Sequence, residues 1–340
     1  MSPKPSIWPR ENPERDRLLV IDPVSGEIAD HVFGDLPLFV GPGDVVVVND
    51  AATLPASFRE NGYELRLRSL DAERGTAEAL LFGSGSWRQP TEERGAPPEF
   101  SPGDRVKLGS LDATVGEVQG PRVVRLDFDV RGARLWQGLY AAGRPIQYSY
   151  LAGPLELWHV QSRFASRPWA FEMPSAGRPL TWNLIFELER RGAKLVSLTH
   201  AAGISSTGAD DLDRQLPLPE RYEIPNETLR AIGEARRVIA IGTSVTRALE
   251  ASALDGGEPR SGQGIARLRI DASHRLLVVD AIVSGIHEPG TSHFDLLQAF
   301  AKKDLLERAS THAVRAGYLG HEFGDSCVIL PGALSLRQAA

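Results

Sequence analysis

The apolar positions along this chain change period as the chain proceeds. Residues 18–21 form a continuous apolar run closed by Asp22-Pro23, and Val45, Val46, Val47 and Val48 follow the turn Gly41-Pro42-Gly43-Asp44. Pro and Gly set that turn, and four valines in a row suit a strand buried on both faces. From 59 to 150 the pattern becomes alternating. Glu64-Leu65-Arg66-Leu67-Arg68 has period two, the signature of a half-exposed strand. Residues 76–82, 105–108, 113–118 and 123–130 read as further short strands, with a polar loop rich in Gly, Pro, Glu and Arg over 83–98. Close-spaced strands with no helical period predict a small antiparallel barrel.

From about residue 174 helical and extended patterns alternate. Thr181 is placed to cap a helix over 182–191 that Gly192 ends, and a strand follows over 194–199. Asn226 is placed to cap a helix over 227–236, and 238–241 reads as a buried strand leading to a helix over 245–253. A strand over 276–283, a helix from Thr291 or Ser292 to Ala301, a second helix ending at Gly317 and a strand over 326–330 complete the pattern. Such alternation argues an α/β fold. The simplest architecture is a larger α/β domain built from both chain ends, 1–58 and 151–340, with a small antiparallel β-barrel domain inserted at 59–150. The 340 residues fit two domains.

Charge and cysteine content narrow the function classes. Lys+Arg total 38 against 44 Asp+Glu, a net charge of -6, which argues against a duplex-DNA-coating protein but leaves room for a local basic groove for one folded RNA. The single cysteine, Cys327, excludes an intrachain disulfide and a Cys-rich metal site. The polar, proline-broken start lacks a signal-peptide core, and no apolar run approaches the ~18 residues of a membrane span. A cytoplasmic protein is expected.

Common catalytic signatures are absent: no Gly-x-Ser-x-Gly elbow, no Walker A loop, and Gly262-Gln263-Gly264 lacks the third glycine of a dinucleotide loop and reads as a flexible loop. The best anonymous site is the segment from Ile239 to Arg247. It runs from buried strand through Gly242 to Thr243 and Ser244 at a helix start, where free N–H groups and a partial positive charge suit an anion. Arg247 could clamp the same anion; a plain helix cap with a solvated arginine fits the spacing as well. His287 lies between a strand and a helix start, where a neutral imidazole can act as general base, or can simply pack. A zinc site is disfavoured, since His287 and His293 are six apart with Pro289 between them. His200 ends a strand before small residues, and Glu220 is a nearby carboxylate. Asp325 fits a turn equally well.

Taken in order, these pieces resemble the S-adenosylmethionine:tRNA ribosyltransferase-isomerase family of queuosine biosynthesis. Gly43-Asp44 through Asn49-Asp50 to Pro55-Ala56, Met173-Pro174-Ser175-Ala176-Gly177, Thr199-His200-Ala201-Ala202-Gly203, Gly242-Thr243-Ser244-Val245-Thr246-Arg247, Val279-Asp280 through His287 to Ala299-Phe300, and Tyr318 through Gly324-Asp325 are similar to that family's motifs, in the same order. The resemblance implies an α/β domain with an inserted barrel. It implies S-adenosylmethionine as a co-substrate that donates ribosyl carbons to an aminomethyl-deazaguanine base in tRNA, with loss of adenine and methionine and no metal. A small-molecule acceptor, or water, is the alternative, and a non-catalytic nucleoside- or RNA-binding module is a third reading. On the resemblance, His287 is the candidate base, with His200 or Glu220 as second acid/base. Thr243, Ser244, Arg247 and Asp325 are expected at the donor, and Asn49, Asp50, Ser175, Arg178 and His293 at the acceptor. The chain departs from the family where Ala52 and Ser57 replace arginines, Arg178-Pro179-Leu180 replaces Leu-His-Phe, Ser284-Gly285-Ile286 replaces Thr-Asn-Phe, His293 replaces a leucine, and His321-Glu322-Phe323 replaces a Phe-Ser-Tyr-like run.

Overall fold

The computed structural model describes residues 2–334; positions 335–340, the end of the expected 151–340 segment, lie outside the described residues. Nine strands form one mixed sheet in the order Gly262–Ala266, Glu220–Ile224, Lys194–His200, Asp44–Asn49, Arg237–Ile241, Ala281–Gly285, Ser326–Ile329, Arg17–Ile21, Ile28–Val32. Strands from both chain ends thus share one sheet. Its centre is the valine run. Val46 and Val48 pack on one face with Ile239, Ile241 and the helix Trp182–Arg190, while Val45 and Val47 pack on the other with Ala240 and the helices Asn226–Gly233 and Thr243–Ala253. Alternate side chains of a strand point to opposite faces, so a continuous apolar run is what a sheet covered on both sides requires. The helices Ser292–Leu297 and Lys303–Ala316 cover the neighbouring strands on the second face.

The inserted segment is a six-stranded antiparallel sheet, Ser57–Glu60, Tyr63–Asp71, Thr76–Phe82, Val123–Phe128, Leu111–Val118, Arg105–Leu108. Its two edge strands approach each other, and Gly109 N donates to Glu60 Oε1 across the gap (2.7 Å), so the sheet is nearly closed. Its core draws in Leu54 and Ala56 from before the expected boundary at 59. A helix that the alternating pattern did not predict, Gly132–Ala142, caps this core with Leu135 and Leu139. It crosses so closely at Gly138 that a Cβ there would lie 2.2 Å from Leu111 Cδ2.

Four other expectations are corrected. Glu64 and Arg66 are buried, not solvent-facing. The 83–98 loop folds back over them, and Arg94 donates to Glu64 and to the Gly83 carbonyl. The strand expected over 276–283 is confined to Ala281–Gly285, because the Glu250 carboxylate accepts the N–H groups of Leu277, Val278 and Val279 (2.9, 3.0 and 3.0 Å) and takes them out of any ladder. Gly262–Ala266 is an edge strand paired with Glu220–Ile224, not a free loop. Thr181 caps its helix as expected, accepting from Leu184 N (3.2 Å), whereas the helix at 226 starts one residue early, with Pro225 as its cap.

Candidate active site

The strands Asp44–Asn49, Lys194–His200, Arg237–Ile241 and Ala281–Gly285 are parallel neighbours, so Asn49, His200, Ile241 and Gly285 emerge at one edge. Open α/β sheets bind ligands outside such carboxyl ends. Asn49 fastens two of these ends together. Its Oδ1 accepts from His200 N (2.9 Å) and Ala51 N (3.1 Å), and its Nδ2 donates to the His200 carbonyl (3.0 Å). Beyond Ile241 the chain turns at Gly242, with φ +101, into the helix Thr243–Ala253. A side chain at 242 would be strained in φ and would meet Ala176 Cβ at 3.2 Å. No side chain caps this helix, so its first-turn N–H groups remain available at the cavity mouth of the strand ends.

A cavity opens there, and it unites Ser175, Glu220, Thr243, Ser244, Arg247, His287 and His293 from the sequence-predicted set. His287 Nε2 lies 2.8 Å from Ser284 Oγ, and the ring is parallel to His293, centroids 4.8 Å apart. Burial, with His293 and His321 nearby, holds His287 well below the ordinary histidine range. Burial, and then Arg247, lowers His293 as well. Both rings are therefore neutral near pH 7.

Arg247 is not a free clamp. Its Nη1 donates to Glu220, its Nη2 to the carbonyls of Leu218 (3.1 Å) and Ala266 (3.2 Å), and its Nε to that of Leu268 (3.4 Å). The guanidinium fixes Glu220, whose Oε1 also accepts from Gly203 N (2.5 Å). Burial pushes the Glu220 carboxyl up, with Arg247 opposing. His200 lies behind it, fully buried, Nε2 3.5 Å from Glu220 Oε2, with neither ring nitrogen hydrogen-bonded. Burial and then Arg247 lower it to about 3.

Four expected ligand contacts lie off the cavity wall. Asn49 acts on the strand ends as described. Asp325 accepts from Arg10 Nη1 (2.8 Å), Arg17 N (2.9 Å) and Leu319 N (2.7 Å), which pins the chain start to the last strands. Arg178 pairs with buried Asp16 (2.6 Å). Asp50 accepts from Thr199 (2.6 Å), Ser166 (3.1 Å) and Ser197 (3.3 Å). Each of these side chains is engaged by the scaffold, Arg178 through Asp16 although its Nε finds no partner, which is why none is turned to a ligand.

Sequence reasoning missed the outer part of the cleft, a wider chamber that shares Glu172, Ser205, His287 and His293 with the inner cavity. Tyr148 and Tyr150 stack there, centroids 6.2 Å apart and 15° between planes. The Tyr148 hydroxyl donates to Glu172 and the Tyr150 hydroxyl to Glu322. Burial raises Glu172 and raises Glu322 to about 7. Arg66 reaches from the barrel to within 5.3 Å of the Tyr148 ring centroid. Only two signals pointed here: Glu172 directly precedes the 173–177 motif, and Glu322 sits in a departure from the family pattern. The two tyrosines lie in the connector after the barrel, where no periodic pattern marks them. Among the described residues, no group of three or more His, Cys, Asp or Glu is placed to hold a metal ion, and no helix is long and apolar enough to cross a membrane.

Comparison with known proteins agrees with the fold. A family model described as queuosine biosynthesis protein matches residues 6–329. An S-adenosylmethionine:tRNA ribosyltransferase-isomerase of Rubrobacter xylanophilus is 32% identical over 336 residues, covering 97% of this chain and 95% of that protein. One of Gloeobacter violaceus is 32% identical over 346 residues, covering 96% and 92%. The crystal structure of an S-adenosylmethionine tRNA ribosyltransferase from Thermotoga maritima shares the fold, with a TM-score of 0.53 at 23% identity over 96% of both chains.

Proposed function

This chain belongs to the queuosine biosynthesis protein family, and from that premise we propose that it is an S-adenosylmethionine-dependent ribosyltransferase-isomerase whose acceptor is a 7-aminomethyl-7-deazaguanine base in tRNA. Adenine and methionine are the products released. The single observation that carries this reading is the inner cavity itself, where an uncapped helix N-terminus, a neutral histidine and a buried carboxyl converge at four parallel strand ends.

The residues suit the donor. A carboxylate is stabilised at the first turn of Thr243–Ala253, where Thr243 and Ser244 add hydroxyls. Because the Arg247 guanidinium is already occupied, the anion contact falls on backbone N–H groups. The sulfonium acidifies the adjacent C5′ protons, and His287 is in its basic form to take one. The same burial destabilises the imidazolium, so the ring passes its proton on, and the departing adenine needs one. Glu220, held by Arg247, is the second acid/base on the wall, and His200 packs behind it.

A second reading, the same donor with a small-molecule acceptor, is favoured by one observation. The two positions where the family carries arginines are Ala52 and Ser57, and the Ser57 hydroxyl is engaged with Glu64 (2.7 Å). Removing phosphate-binding arginines weakens RNA binding. Product analysis after incubation with S-adenosylmethionine separates the readings. Adenine and methionine released only when deazaguanine-bearing tRNA is present supports the tRNA acceptor. Release without RNA supports the small acceptor or water, and binding without release supports a non-catalytic module.

A further inference from the structure

The outer chamber carries chemistry that donor binding does not use. Its wall is built by the connector that follows the barrel. Tyr148 and Tyr150 stack, Arg66 backs the Tyr148 ring at 5.3 Å from its centroid, and His321 flanks Tyr150 at 4.3 Å between centroids. His321 holds a left-handed backbone, φ +65, uncommon for a non-glycine residue and costly unless the turn is needed. That turn presents the next residue, Glu322, to the chamber. Each phenol donates to one carboxyl, Tyr148 to Glu172 and Tyr150 to Glu322. Glu172 also accepts from Ser205 N through its other oxygen (3.2 Å), whereas Tyr150 is the side-chain donor to Glu322, whose carboxyl keeps lone pairs for a donor on a ligand.

We propose that this wall reads the acceptor: the aromatic platform takes a planar ring, and Glu322, oriented by Tyr150 and assisted by Glu172, holds a primary amine carried on that ring. The inference deepens the donor reading and rests on it, since it assigns the inner cavity to the sulfonium nucleoside. Three features point to a cationic nitrogen. Glu172 and Glu322 both line a space bounded by aromatic rings, a setting that favours cations, with Arg214 and Arg269 elsewhere on its wall. Glu322 itself lines the chamber, so its carboxyl is within reach of a ligand held there. Finally, an amine must shed a proton before it can form a bond. A carboxylate that accepts it becomes the neutral acid and leaves the nitrogen its lone pair, and burial suits Glu322 to that exchange near neutrality.

The test titrates the full chain with 7-aminomethyl-7-deazaguanine and with its 7-methyl counterpart, which lacks only the amine, and separately with S-adenosylmethionine. The wild-type chain is expected to bind the amine about 10- to 100-fold more tightly than the methyl compound, the range of one charge-assisted hydrogen bond. Glu322→Gln, which keeps shape, and Tyr150→Phe are each expected to remove most of that preference while affinity for the methyl compound and the donor stays within about twofold. Equal affinity of the wild type for the two bases overturns the proposal. So does a preference that survives Glu322→Gln and Glu172→Gln, or a loss of donor affinity in Glu322→Gln as large as the loss for the amine. Failure of the wild-type chain to bind S-adenosylmethionine overturns the donor reading instead, because the amine preference is read without donor.

Discussion

At the scale of single residues, the cleft shows that a side chain's partners decide its role. His287, as base, and Arg247, as anion clamp, are both candidates in the sequence, and both reach the cavity. Arg247 is saturated by one carboxylate and three carbonyls, whereas the His287 ring has one hydrogen-bond partner, Ser284. Replacing His287 by Ala is expected to slow adenine release by at least about 100-fold, the usual share of a general base, while donor affinity, measured calorimetrically, changes little. His200 gives a pH prediction. Its folded-state pKa, about 3, lies below the unfolded value of roughly 6.5, so the unfolded chain binds the extra proton between them. The stability contributed by keeping this ring neutral is present above about pH 6.5 and is lost as pH falls toward 3. Urea denaturation of His200→Leu across that window should show a flatter decline than the wild type; equal slopes would exclude His200 as the titrating group.

At the scale of elements, local signals held where the local backbone had no competitor. Thr181 caps its helix and Gly317 closes the last one in the left-handed conformation. They failed where a distant side chain intervened. Glu250 captures three backbone N–H groups and shortens a strand, and Arg94 from a polar loop buries the outward face of an alternating one. Gly242 is the element junction most exposed to mutation. Gly242→Val forces a β-branched residue to φ +101 against Ala176. We expect a loss of about 1–3 kcal/mol, read as a lower Tm, together with weaker donor binding, because the helix N-terminus is displaced.

At the scale of the whole molecule, the two ends of the chain form one sheet and the insertion supplies a second body, and the cleft lies where the connector between them meets the strand ends. With net charge -6, RNA binding is expected to depend on few phosphate contacts. A log–log plot of affinity against salt should therefore be shallow for tRNA, and flat for the donor buried in the cavity; a steep tRNA slope would reveal a basic surface that the charge balance does not suggest. By itself the sequence determined the fold class and the segments that become the strand ends, but not the Gly132–Ala142 helix or the Gly262–Ala266 strand. Periodicity and turn chemistry are local, and the motifs lie on contiguous residues. Only the tertiary structure decided which of those residues face the cavity, that Asp325, Arg178 and Asp50 serve the scaffold, and that Tyr148, Tyr150, Glu172 and Glu322 share a wall. The physical reason is that hydrogen-bond satisfaction and burial depend on groups up to hundreds of residues apart in the chain, as between Arg10 and Asp325, and no pattern along the backbone records them.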